Sequence, residues 1–326
     1  MSSTYAGGPA FTGGPAELVL TASVARRYYV DGKSKVEIAD EFSLSRFKVA
    51  RLIHTARTSG IVRIEIGYPG AIDVELSDRV RSAFKLQHAV VVDTPDDDEA
   101  SLRQHLGEAA AELLREIVTA DDVLGLAWAR SVSAMTAALS RLAITPVIQL
   151  TGSLARPDLD NSVDLVRQAA RASGGPAYFF HAPLVVPNAA TARAMRKQPE
   201  IARAFARFDS VTKAVVGVGL WAPGQSTIYD AAEERDRRLL TRLGTCADIS
   251  GVTIDAEGRP VHSGLTERMI GISAAEMQAV PEVIAIAYGV AKAPAVRAAI
   301  RSGIVGGLVT HATLATAILA ADQAAD

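Results

Sequence analysis

Two stretches of this 326-residue chain carry side chains in patterns that do chemistry. In the first, Ser45, Arg46, Phe47, Lys48 and Arg51 put three cations, a hydroxyl and an aromatic ring within about two helical turns. With Val49, Leu52 and Ile53 turned inward, those five point outward from the amino-terminal half of a helix. Arg46 and Lys48 there suit guanine edges or phosphates in a duplex groove. Arg51 and the Ser45 hydroxyl suit contacts to the phosphate backbone, which position without reading sequence. The second stretch, Gly125-Leu-Ala-Trp128-Ala-Arg130-Ser131-Val-Ser133, follows an apolar run and opens a helix. Its hydroxyls, guanidinium and free helix amides suit a phosphate; an N-cap serine beside a surface arginine gives the same string. Gly217-Val-Gly219 has no third glycine and no ribose-binding acid in register. It reads as a close-packed strand end with a minor part in a pocket rather than a dinucleotide loop.

Elements must hold these groups in place. Near the amino end, Leu18, Val24, Ala25, Tyr28 and Tyr29 mark a first helix, and Asp31-Gly32 ends it. Ser34 and Glu37 form a capping box for a second helix running to about Phe42. Ser45 caps a third, which reaches Thr58 before Gly60 terminates it. Ala39, a small residue where two helices meet, with Val49 and Leu52 ten and thirteen positions on, is helix-turn-helix spacing. Ile38, Leu44 and Ile53 complete a miniature core. Ser43 stands in the turn where glycine best tolerates positive φ, at a cost of roughly 1 kcal/mol. Ile61 to Ile66 alternates as a short strand, a wing that brings Arg63 towards a DNA backbone.

Charge is divided along the chain in the same way. The net charge is −2, yet residues 17–66 hold nine Lys/Arg against six Asp/Glu, a balance of +3 that leaves −5 for 67–326. A basic head on an acidic body is the asymmetry expected when only the head meets phosphate. Residues 1–16, rich in Gly, Pro, Ser and Thr, read as a flexible tail, and 67–80, with Gly67, Pro69 and Gly70, as a linker. Beyond it, apolar runs at 89–92, 123–127, 147–150, 215–218, 283–287 and 307–310 alternate with helical segments at 100–118, 163–172, 233–243 and 296–302. That alternation predicts a doubly wound α/β domain with a parallel sheet.

Composition narrows the functions. Hydrophobic residues are 49% and aromatics 5%, so a large core forms and the shortage of rings argues against a stacked-ring lectin. One cysteine, Cys246, excludes a disulfide scaffold or cysteine-ligated zinc and fits a reducing compartment. The opening residues lack a signal-peptide pattern, and GLVTHATLATAILAA is too short and polar to span a bilayer. A cytoplasmic protein with no metal, no cofactor and no catalytic set is expected.

Tyr28-Tyr-Val-Asp-Gly32, Lys35-Val-Glu-Ile-Ala39, Ser45-Arg-Phe-Lys-Val49 and Ala56-Arg-Thr-Ser-Gly-Ile-Val62 resemble the head of SorC-family transcriptional regulators. In that family a winged or Crp-like helix-turn-helix precedes a sugar-binding domain, and the resemblance extends over nearly the whole chain after residue 17. It implies an operator-binding regulator controlled by a sugar, polyol or sugar phosphate, with residues 81–326 binding the effector and forming dimers or tetramers. It also implies effector contacts at Trp128, Arg130, Ser131, Gly152, Ser153, Gly219, Asp248 and Lys292. Asp248 would accept from sugar hydroxyls and Lys292 would face the ligand. Ala129, Ala247 and Tyr288 stand where the family usually has glycine, and His311 where it has aspartate; the added side chains should shrink the pocket, with His311 a structural histidine. Such bodies also resemble the glucosamine-6-phosphate deaminase and ribose-5-phosphate isomerase fold. An enzyme of that kind, using Asp248 with Lys292 or His311, is the alternative.

Overall fold

A computed structural model describes residues 13–62, 72–94, 98–154 and 161–323. The chain divides into two units, Met1–Gly67 and Tyr68–Asp326. The first contains α1 (Pro15–Tyr29), α2 (Lys35–Glu41) and α3 (Arg46–Thr58). Ser34 Oγ accepts from the Glu37 amide at 3.3 Å while the Glu37 carboxylate accepts from the Ser34 amide at 2.8 Å. This is the reciprocal cap that the sequence spacing predicts. The turn to α3 closes as the Leu44 amide donates to the Ala39 carbonyl at 2.8 Å. Ser43 sits in it at φ 51°, the left-handed region anticipated there. Ser45 Oγ then accepts from the Lys48 amide at 3.2 Å. Val24, Ile38, Ala39, Val49, Leu52 and Ile53 form the buried centre of this unit.

Two expectations at its margins change. Helix α1 starts at Pro15, ahead of Glu17, because proline presets φ for a first turn; residues 1–12 of the expected tail lie outside the described residues. So do Arg63, Ile64, Glu65 and Ile66 of the expected wing strand, while Ile61 and Val62 follow α3 as bends.

The second unit begins with α4 (Val74–Phe84), where the sequence reading placed the end of a linker. Asp73 caps it by accepting from the Leu76 amide at 2.8 Å, and Leu76 and Val80 are buried in the core. Glycine and proline mark only the first part of 67–80; from Val74 the i, i+4 row Leu76, Val80, Phe84 takes over. The order continues β1 (His88–Val92), α5 (Glu99–Ile117), β2 (Leu124–Leu126), α6 (Arg130–Ala138) and β3 (Val147–Gln149). Next come α7 (Ser162–Ser173), β4 (Ala177–Tyr178), α8 (Ala189–Arg196), α9 (Pro199–Phe205) and β5 (Lys213–Leu220). Then follow α10 (Thr227–Ala231), α11 (Glu234–Arg242), β6 (Thr245–Ile249), β7 (Val252–Asp255) and α12 (Ala274–Ala279). The last elements are β8 (Glu282–Ile286), α13 (Ala293–Arg301), β9 (Gly307–His311) and α14 (Ala312–Gln323).

Seven strands run parallel in the order β1-β9-β8-β5-β2-β3-β4. Alternate residues of the central strands serve opposite faces. Ala214 and Val216 of β5 and Val283 and Ala285 of β8 join one core with residues of α4, α13 and α14. Val215, Ile284 and Ile286 join the other, with residues of α5, α6 and α7. Both faces are covered, as in a doubly wound sheet. Wholly parallel it is not: Val218–Leu220 of β5 pair antiparallel with β6, and β6 with β7.

Ser43 offers a test of the head. Ser43→Gly relieves the left-handed strain and is expected to stabilise the head by up to about 1 kcal/mol. The measurement is exchange of the buried α3 amides, slowed roughly fivefold; unchanged exchange would show that the turn carries no strain.

Candidate functional site

Strand order reverses between β2 and β5. The chain proceeds from β2 to β3 and β4 on one side and from β5 to β8 and β9 on the other, so the loops leaving β2 and β5 diverge and open a crevice. A cavity of about 420 Å3 occupies it, lined by Trp128–Ser131 after β2, Gly217–Gly219 of β5, Asp248 of β6 and Tyr288–Lys292 after β8.

Each wall has a local cause. The Trp128 amide donates to Thr151 Oγ1 at 2.9 Å, and the indole is buried. Ala129, without a capping side chain, precedes α6, so the first amides of that helix carry no side-chain cap. Ser131 Oγ donates to the Ile286 carbonyl at 3.1 Å, fastening α6 to β8; its proton is therefore committed, and the residue lines the cavity. At Gly217 a Cβ would strike Ala129, and at Gly219 it would strike the Asp248 carboxylate. The two glycines are there for close approach.

Asp248 is 4% exposed. Ser226 Oγ accepts from the Tyr229 amide at 3.0 Å, so its own proton goes to Asp248 Oδ2 at 2.5 Å. The Gly251 amide donates to Oδ1 at 3.3 Å. Burial nonetheless pushes the Asp248 carboxyl up to about 6, against these donors and the charge of Lys292. Lys292, half-buried in the turn before α13, is pushed down by burial, opposed by Asp248. Its ammonium lies 4.8 Å from the centre of the Tyr288 ring. Among the described residues neither Lys292 nor Arg130 makes an ion pair. Burial raises the Tyr288 hydroxyl, with Arg103 opposing. His311 Nε2 accepts from the Gly289 amide at 3.1 Å, which fixes the ring on the cavity wall.

The geometry thus gathers Trp128, Arg130, Ser131, Gly219, Asp248 and Lys292. It does not gather Gly152 and Ser153. Residues 151–153 are extended chain pairing on both sides: the Gly152 amide donates to Ile270, the Ser153 amide to Ala182, and the Ser153 hydroxyl to Asn161. Ala247 also departs from expectation, being fully buried in the apolar core opposite Leu220, whereas Ala129 and Tyr288 line the cavity. Sequence reasoning missed Ser226 and the β6–β7 hairpin that carries Asp248. The signal was present in Ser250-Gly251, both at positive φ, between two apolar runs.

In the first unit, Ser45, Arg46, Phe47, Lys48 and Arg51 are all exposed, and α3 contains no acidic residue. Among the described residues there is no group of His, Cys, Asp or Glu fit for a metal, and no helix long and apolar enough to cross a membrane.

The Sugar-bind family model, a sugar-binding domain, matches residues 70–320. An uncharacterized transcriptional regulator of Escherichia coli (strain K12), YjhU, is 30% identical over 308 residues, 90% of this chain and 92% of that one. The erythritol catabolism regulatory protein EryD of Brucella abortus (strain 2308) is 26% identical over 306 residues, 92% of this chain and 96% of that one. The full-length sorbitol operon regulator SorC of Klebsiella pneumoniae shares the fold, with a TM-score of 0.69 and 22% identity over 93% of this chain and 98% of that one. These relatives are named as regulators, not enzymes.

Asp248 makes stability depend on pH. A carboxyl that titrates near 6 in the fold and near 4 in the unfolded chain keeps an extra proton on folding between those values. Its contribution therefore falls as pH rises through that window. Relative to the parent, Asp248→Asn is expected to gain stability from about pH 4 to 6, by at most about 3 kcal/mol, and to level off above. Parallel denaturation curves at each pH measure this, and a constant difference would show Asp248 titrating normally.

Proposed function

The chain belongs to the SorC family of transcriptional regulators with a sugar-binding domain, and from that premise we propose a DNA-binding regulator of carbohydrate metabolism whose operator affinity is set by a small effector in the β2/β5 crevice. The observation that carries this reading is the pairing of unlike groups around one cavity. Arg130, Lys292 and the uncapped amides of α6 face it with positive charge, while buried Asp248 and Ser226 offer hydrogen bonds. That set suits a sugar, a polyol or a sugar phosphate: an anionic group against the cations and hydroxyls against the carboxylate. Trp128 and Tyr288 supply apolar walls for the faces of such a molecule.

The helix pair α2–α3 acts as the helix-turn-helix, with Ser45, Arg46, Phe47, Lys48 and Arg51 towards the major groove. A single three-helix head binds weakly, so dimers or tetramers joined through the body place two heads on two half-sites. The effector acts only through a difference in its affinity for operator-competent and incompetent arrangements. The protein works in the cytoplasm, where its DNA and its metabolite meet.

Thermal shift against pentoses, hexoses, polyols and their phosphates identifies the effector, since ligand bound to the native state raises apparent stability. Lys292→Ala is expected to weaken that effector about 10- to 100-fold, the loss of one charge-assisted hydrogen bond, with basal operator binding retained. An unaltered dose response would remove Lys292 from the site. Arg46→Ala is expected to weaken operator binding about 5- to 100-fold in gel-shift titrations while the thermal shift with effector persists. Equal footprints for parent and variant would reject α3 as the reading helix.

A further inference from the structure

The outward face of α3 carries one group that phosphates cannot use. Phe47 is 88% exposed, lies between Arg46 and Lys48, and shares a stripe with Arg51 one turn on. From Arg46 to Thr58 there is no acidic residue, and Glu41 of α2 is already held by Arg27 and Lys33. Whatever covers this ring must be apolar at one point and anionic around it. A second copy of the same face brings like charges together, and an apolar protein groove leaves three cations unanswered. Duplex DNA meets both demands: phosphates flank its major groove, and the 5-methyl of thymine is the apolar group that the groove presents. Phe47 is the second residue of α3, at the end of a groove-bound helix that meets base edges.

We propose that Phe47 packs on the 5-methyl group of a thymine and so specifies thymine at one position of each half-site. Arg46, Lys48 and Arg51 hold the helix in register around that contact. The proposal rests on the DNA-binding reading above, and its test separates the two.

Full-length protein is first used to select binding sites from random duplexes. Each thymine of the selected site is then replaced singly by uracil, which pairs identically and lacks only the methyl. A single uracil at the contacted position of one half-site is expected to weaken the parent about fourfold, the transfer free energy of a single buried carbon. The same substitution is expected to leave Phe47→Ala unaffected, and Phe47→Leu to keep part of the discrimination. Because the ring is exposed, Phe47→Ala retains the head's core, and its own selection should return the same site with that thymine relaxed. Failure to select any site rejects DNA binding itself. A selected site at which every uracil is silent, or at which parent and Phe47→Ala lose equally, overturns the role of Phe47 alone. A changed sedimentation coefficient in Phe47→Ala with uracil discrimination intact assigns the ring to a protein contact and overturns it too.

Discussion

At Gly219 the main chain of β5 lies so near the Asp248 carboxylate that one added carbon would overlap it, and at Gly217 the same addition would strike Ala129. Both approaches follow from the double service of β5. Its residues Lys213–Gly217 lie in parallel register with β8, and Val218–Leu220 then leave that pairing for the antiparallel β6. A strand that changes partners at the switch point of a sheet leaves two loops and a hairpin converging on its end. They close on it only where it has no side chain. The cavity, the position of Asp248 and the attachment of α6 all depend on those bare positions.

Charge buried at the convergence has a cost. Asp248 has Ser226 and an amide for company, and Lys292 has the face of Tyr288. Burial disfavours the charged form of both. Titration shifted by burial in a cleft marks the pair as a candidate site. Fold stability is therefore tied to the protonation of the same two side chains.

The head is built on a different balance. Six buried apolar residues, a reciprocal cap at Ser34 and a left-handed serine at the turn hold three short helices. Its interior employs every inward residue of α3, which leaves the outward face free of structural duty. The helical period thus separates the core from the exposed cations there, whereas in the body Gly219 and Asp248 pack against each other at the cavity itself.

Local order was legible in the sequence because its causes are local. Alternation, capping pairs and turn residues act over a few positions, and they determined the three head helices, six of the parallel strands and the double winding. The same reasoning overran at Val74 because breakers mark where a connector starts more sharply than where it ends. It passed over β4 and the β6–β7 pair, the first too short to show a period. Membership of the cavity was settled only in three dimensions. Asp248 meets Ser226 across 22 positions and shares the cavity with Trp128, Tyr288 and Lys292. Gly152 and Ser153, which also follow a parallel strand, are drawn off into pairing with Ile270 and Ala182. Spacing along a chain carries the period of a helix or strand, but which strand ends face one another is decided by the order in which the sheet assembles them.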